Sequence, residues 1–264
     1  MSENAETAML FGMPFSITEF DAVCAAVDAR IQSREPGFIV TPNVNLVCNF
    51  HRDPQFREVY PKAFLWLADG MPLMWVARIL GVRLPEKLSG SDMVPWLSSH
   101  SAKEGYRIFF FGGLPGSADI AAQRLRQRYP TLQVAGSYCP PMGFEKDPEE
   151  NARAIKTIHD AKPDILFVAL GTPKQELWLD AHMHEIQVPV SIGVGAALDF
   201  LSGKVKRAPR WVQRAGCEWV WRLIQEPRRL WRRYLVDDMM IVLLLLRELG
   251  RGRRARAAED GSHA

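Results

Sequence analysis

Several things are missing from this 264-residue chain, and each absence narrows what it can be. Its four cysteines, Cys24, Cys48, Cys139 and Cys217, are far apart and form no C-x-x-C pair. That spacing argues against a structural zinc or a disulfide framework and favours reduced thiols, mostly packing residues, in a cytosolic protein. The longest apolar run, MMIVLLLL at 239–246, has eight residues, whereas a spanning helix needs about 20. The N-terminal MSENAETAML is acidic and has no basic region followed by an apolar stretch, so no export signal is expected. The motifs G-x-x-x-x-G-K-[ST], H-E-x-x-H and G-x-S-x-G do not occur. GVGAAL at 193–198 opens like a dinucleotide fingerprint, but Leu198 stands where its third glycine belongs, and no cofactor is expected. His182 and His184 lie two apart and point to different faces of a helix, so no metal site is expected there. Nor is there an Asp-x-Asp pair to hold a divalent ion on a diphosphate. A diphosphate would have to be neutralised by Arg, Lys, helix N-termini and backbone amides.

What is present is unevenly distributed. Hydrophobic content of 47% and charged content of 24% are those of a globular protein. The net charge of +3 hides a division: residues 204–264 carry 15 Lys or Arg against 7 Asp or Glu, while residues 1–203 are net acidic. Within 204–233, ten basic residues stand against two acids and are interleaved with Trp211, Trp219, Trp221 and Trp231. Localised basic charge among indole rings suits an anionic membrane surface and phosphates together. It does not suit a nucleic-acid binder, which would spread its basic patches more widely. The bland reading of the segment is a solvated amphipathic helix with its Trp packed on the core.

The body alternates strands and helices. Candidate strands are 38–41, 63–69, 107–112, 132–138, 164–170 and 190–195, and amphipathic helical patterns lie between most of them. Continuous apolar strands with helices between them predict an α/β fold: a Rossmann-like parallel sheet covered on both faces. The expected organisation is an α/β core over 1–203, a helical appendage over 204–249 and a disordered tail over 250–264. Ser91 or Asp92, and Asp147 followed by Pro148, read as helix caps.

Polar residues and glycines gather where the strands finish: Thr41 and Asn43, Asp69 and Gly70, Gly112 and Gly113, Gly171 to Gln175, Gly193 and Gly195. In an open parallel sheet that edge is where ligands bind. A strand-end carboxylate beside LWLA and Met71 would be partly desolvated and its pKa raised, as a general base requires. Asp69 could equally cap the helix that follows it. Gln175 alone reads as a surface helix residue, Asp92 as a cap, and Asp199 as either a ribose ligand or a cap.

The blocks TPNVNLV (41–47), LADGMPL (67–73), GSDMVP (90–95), FFFGG (109–113), ALGTPKQELW (169–178) and the 193–234 segment together resemble the bacterial WecG/TagA/CpsF glycosyltransferases. The resemblance spans nearly all of residues 8–234. It implies an inverting, metal-independent transferase that moves a sugar from a UDP donor to a polyprenyl-diphosphate-linked saccharide, as a peripheral protein at the cytoplasmic face of the inner membrane. On the resemblance Asp69 is the candidate general base, with Thr41, Asn43 and Gln175 as its catalytic companions. Substrate contacts are expected from Gly112, Gly113, Gly171, Asp92, Gly193, Gly195, Asp199, Arg207, Arg210 and Arg214. Lys87 stands where many members carry Arg, which keeps the charge but loses the bidentate fork. The run 235–249 suits either membrane contact or a homo-oligomer. A non-catalytic, nucleotide-binding membrane module is the alternative reading, and a nucleotide-sugar epimerase or dehydrogenase is disfavoured by the incomplete glycine fingerprint.

Overall fold

The Phe-rich run at 107–112 shows how the sheet is built, because its alternate residues enter two different cores. A computed structural model describes residues 6–261, with side chains described as far as Arg251. In chain order it contains β1 (Thr7–Leu10), β2 (Met13–Ser16), α1 (Phe20–Ser33), β3 (Phe38–Val40), α2 (Val44–Arg52), α3 (Pro54–Val59), β4 (Leu65–Trp66), α4 (Met71–Ile79) and α5 (Gly90–Glu104). There follow β5 (Arg107–Gly112), α6 (Ser117–Arg128), β6 (Gln133–Tyr138), α7 (Pro148–Ala161), β7 (Ile165–Ala169), α8 (Lys174–Ile186), β8 (Val190–Gly193) and α9 (Ala197–Ser202). The C-terminal part holds α10 (Arg210–Arg214), α11 (Glu218–Gln225), α12 (Pro227–Arg232), a π-helical stretch Arg233–Asp237 and α13 (Met240–Gly261).

All six expected strands form, and they pair in parallel in the order β4-β3-β8-β7-β5-β6. Phe109 and Phe111 of β5, with Leu166 and Val168 of β7, point into a core beneath α2, α7, α8 and the β1–β2 hairpin. Ile108 and Phe110, with Ile165 and Phe167, point into a second core beneath α1, α5 and α6. Burial on both faces is why these strands are apolar at every position.

Two local details differ from what the sequence predicts, and a third agrees with it. The hairpin β1–β2 was not expected: its turn, Phe11–Gly12, takes positive φ at both residues (55° and 71°), and a buried Phe conceals the Asn-Gly or Asp-Gly signal of such turns. The cap of α5 is Ser89, whose hydroxyl accepts from the Asp92 N–H, and not Ser91 or Asp92. Asp147 does cap α7, accepting from the N–H groups of Glu149 and Glu150.

Beyond Gly203 the chain leaves the sheet and is helical. Val212, Leu230 and Leu244 are its buried anchors, and Met240, Ile241 and Leu244 join the first core. Helix α13 carries the backbone to Gly261, so a helix occupies much of the stretch expected as a disordered tail; the Ala and Arg there are strong helix formers. No helix among the described residues is long and apolar enough to cross a membrane.

Candidate active site

Asp69 sits just past β4, its backbone N–H donating to the Pro42 carbonyl at 2.8 Å. The bond holds it beside Asn43, at the start of α2. Helix α4 begins immediately after, yet Asp69 does not cap it: Gly70 occupies the cap position with φ of 91°, and no side chain closes the helix end. Its carboxyl is therefore left to face a cavity of about 360 Å³, which it lines together with Asn43, Asn45, Lys87 and Ser89. Burial, opposed by Lys87 and reinforced by Glu218 and Asp92, pushes this carboxyl up to about 7. Asn43 contributes a wall and also caps α2, its side chain accepting from the Leu46 N–H at 3.1 Å.

The opposite wall comes from the C-terminal appendage: Gln213, Glu218, Trp219, Arg222, Arg233 and Tyr234. Core and appendage are joined at the cavity by a chain of charges. Asp92 receives Lys87 at 2.9 Å, Arg207 at 2.7 Å and the Ser89 hydroxyl at 2.6 Å, and Arg207 continues to Glu218 at 3.4 Å. Although burial works against it, Asp92 is held below the usual carboxylate range by Ser89, Lys87 and Arg207. The Nε atoms of Arg222 and Arg233 are buried without a hydrogen-bond partner. Both arginines line the cavity that Asp69 lines.

A second group lies at the ends of β7 and β8. Gln175 is buried, and its side-chain oxygen accepts from the N–H groups of Gly171 and Gly195, each at 3.2 Å. Its nitrogen donates to Glu176 at 2.8 Å. Thr41 donates to the Gly193 carbonyl at 3.0 Å. A Cβ at Gly193 would lie 2.4 Å from the Gln175 amide nitrogen, so only glycine fits there. Thr41 and Gln175 thus brace the strand ends and are absent from the cavity wall. A third group is Gly112, Gly113 and Asp199: Asp199 accepts from the Leu114 N–H at 2.8 Å, and a Cβ at Gly113 would lie 3.2 Å from its carboxylate. Asp199 tethers the loop after β5 and caps no helix through its side chain.

The structure therefore separates the expected residues. Asp69 and Asn43 line the cavity, Asp92 and Arg207 brace it, and Thr41, Gln175, Gly171, Gly193 and Gly195 hold the neighbouring loops. Arg210 and Arg214 are exposed on α10 and do not line the cavity. Arg222 and Arg233 take that place, and they were not singled out in advance. The i,i+4 pair Glu218 and Arg222, which share a face of α11, was the available signal. His182 pairs with Glu185 at 2.6 Å. Among the described residues no group of three or more His, Cys, Asp or Glu is placed to hold a metal ion. The cysteines are all free: Cys48 is buried, whereas Cys217 is exposed and its thiol donates to the Ala215 carbonyl at 3.4 Å.

Known proteins resemble the chain over most of its length. The chain is 31% identical, over 218 residues covering 83% of it and 82% of the relative, to an N-acetylglucosaminyldiphosphoundecaprenol N-acetyl-beta-D-mannosaminyltransferase of Bacillus spizizenii. Proteins of the same description from Bacillus subtilis and Staphylococcus aureus are 29% and 28% identical, covering 87% and 76% of the chain and 88% and 77% of the relatives. The profile described as "Glycosyl transferase WecG/TagA/CpsF family" matches residues 8–255. With cavity, charge chain and strand-end braces all inside the matched span, the chain belongs to the WecG/TagA/CpsF glycosyltransferase family.

Proposed function

We propose that this glycosyltransferase moves a sugar from a UDP-linked donor to an N-acetylglucosaminyl diphosphate carried on a polyprenol, with inversion and without a metal ion. The relatives' descriptions suggest an N-acetylmannosaminyl donor. One observation carries the reading: a carboxyl raised to about 7 lines a cavity that Lys87, Arg222 and Arg233 also line.

In the proposed step, ionised Asp69 takes the proton of the acceptor hydroxyl while that oxygen forms the new bond to the donor's anomeric carbon. The bond from that carbon to the UDP phosphate oxygen breaks, and its electron pair leaves with UDP. A base with a pKa near the working pH can both accept and release the proton. Arg222 and Arg233, with Lys87 nearby, meet the charge growing on the phosphate, the role a metal ion would otherwise serve. The family membership removes the support for a non-catalytic module.

The appendage also supports a peripheral place on an anionic membrane. Trp211 is 72% exposed, and Trp231, Leu235, Met239, Leu243 and Leu246 are exposed as well. Arg228, Arg229 and Arg232 stand among them. Apolar burial and basic charge together give interfacial binding. The deciding experiment screens UDP-sugars against a short-chain polyprenyl-diphosphate N-acetylglucosamine, with mass spectrometry of the product. Release of UDP without a disaccharide product, for every donor, would refute the transferase step.

A further inference from the structure

Most of the exposed large apolar residues lie on the appendage, but two lie on the core helix that starts at the candidate base. Trp75 is 45% exposed and Ile79 57% exposed, one turn apart on the same face of α4. A soluble helix gains nothing from presenting an indole and a sec-butyl group to water. Trp75 is not an isolated surface residue either, since it lines the Asp69 cavity together with Met71 and, from the appendage, Trp219 and Met239. The appendage closes directly upon it: a Cβ at Gly216 would lie 2.5 Å from the Trp75 ring. The cavity is thus polar and charged around Asp69, Lys87, Arg222 and Arg233, and apolar where α4 meets the appendage.

An amphiphile with a sugar hydroxyl at one end, a diphosphate in the middle and a hydrocarbon chain at the other matches that order. Along α4 the rise of ~1.5 Å per residue sets Trp75 roughly 6 Å and Ile79 roughly 12 Å beyond Met71, the first residue of the helix. The inner end takes the reacting group and the apolar mouth remains for the chain, while Arg222, Arg233 and Lys87 stay with the donor's phosphate. We propose that Trp75 and Ile79 of α4, with Trp219 and Met239 of the appendage, form the channel by which the acceptor's first prenyl units leave the cavity. The proposal rests on the lipid-linked acceptor reading and assigns which part of the protein touches the lipid before any membrane does.

The test is direct binding in buffer free of detergent and vesicles. Dimethylallyl, geranyl and farnesyl diphosphate share a headgroup and differ only in chain length. Titration calorimetry on the full chain should show affinity rising about tenfold from dimethylallyl to farnesyl, the amount expected from partial burial of the added carbons. Trp75→Ala should flatten that rise. Ile79→Ser should flatten it too, and as an exposed position it leaves the fold intact, which guards against a Trp75 variant that unseats the appendage. UDP affinity in each variant checks that the cavity is still assembled. Equal affinity for all three chains, or a rise that persists in both variants, overturns the channel. Transfer assays report separately: chain-length dependence without any sugar transfer would keep the channel and refute the transferase reading. Transfer with no chain-length dependence in binding would do the reverse.

Discussion

The side-chain amide of Gln175 donates to the carboxylate of its neighbour Glu176 at 2.8 Å, and this short contact decides how two loops of the sheet edge are held. Glu176 is buried, also accepts from the Thr172 hydroxyl at 3.1 Å, and orients the amide so that its oxygen faces Gly171 and Gly195. Without an acceptor at 176 the amide is free to turn. Glu176→Ala should therefore lower the melting temperature and raise the donor KM, whereas Glu176→Gln, which keeps an acceptor oxygen, should stay near the parent protein. Leaving a buried donor unmatched costs about 1–3 kcal/mol. Thermal melts and donor KM on the two variants check the pair, and equal behaviour of Ala and Gln would show that the contact positions nothing.

Asp69→Asn should reduce transfer by about 10²–10⁴. It should also make the protein harder to melt at pH 8. The raised carboxyl keeps its proton in the folded state between about pH 4 and 7 while the unfolded chain releases it, so stability falls as pH climbs through that window. Asparagine has no proton to lose. The variant should gain about 1–3 kcal/mol at pH 8, and no gain should remain below about pH 4. Calorimetric melts at the two pH values read this directly.

Activity of the parent protein should rise with pH through about 7 and then level, since the base must be ionised before it can accept a proton. A kcat/KM profile that is flat between pH 5.5 and 8.5 would remove Asp69 from that role. The same assay with excess EDTA should show unchanged turnover.

Arg222→Gln and Arg233→Gln should each cost roughly ten- to a hundredfold in kcat/KM on a soluble acceptor, the worth of a charge-assisted bond to phosphate. Arg210→Gln and Arg214→Gln, on the exposed α10, should cost little in that assay. Kinetics in which the second pair matters more than the first would move the phosphate contact.

Removing residues 204–264 should release the protein from anionic vesicles and abolish transfer, because it removes one wall of the cavity as well as the basic, Trp-rich surface. Truncation after Leu249 should spare both. Vesicle co-sedimentation and turnover of the two truncations check the claim.

Much of the fold was legible because the strand signal is strong. ILFVA and RIFFFG are apolar at every position, which only a doubly covered parallel strand requires. The strand-end position of Asp69 was legible for a related reason, since it closes an apolar run, but the pattern left open whether it caps α4 or faces a cavity. The hairpin was not legible, because Phe11 fills a turn position usually held by Asn or Asp. Nor were Arg222 and Arg233. The arginine-rich segment announces its charge in the sequence, but which guanidinium groups turn inward depends on how the π-helical stretch docks against α2 and on how Arg207 ties Glu218 of α11 to the core. That docking rests on tertiary contacts such as Asn45 to Asp238 at 3.1 Å and Arg52 to the Asp237 carbonyl at 2.6 Å. Residue periodicity carries no record of those.

The chain of Lys87, Asp92, Arg207 and Glu218 contains two cations and two anions, partly shielded from solvent. The arginines at 228, 229 and 232 are exposed. Mobile ions screen the second set far more than the first. Ionic strength is then a dial that turns one attachment and leaves the other alone: a salt wash should lift the enzyme from a vesicle with its cavity still assembled. Protein recovered in this way would be competent as soon as the salt is diluted, with no refolding step between release and return.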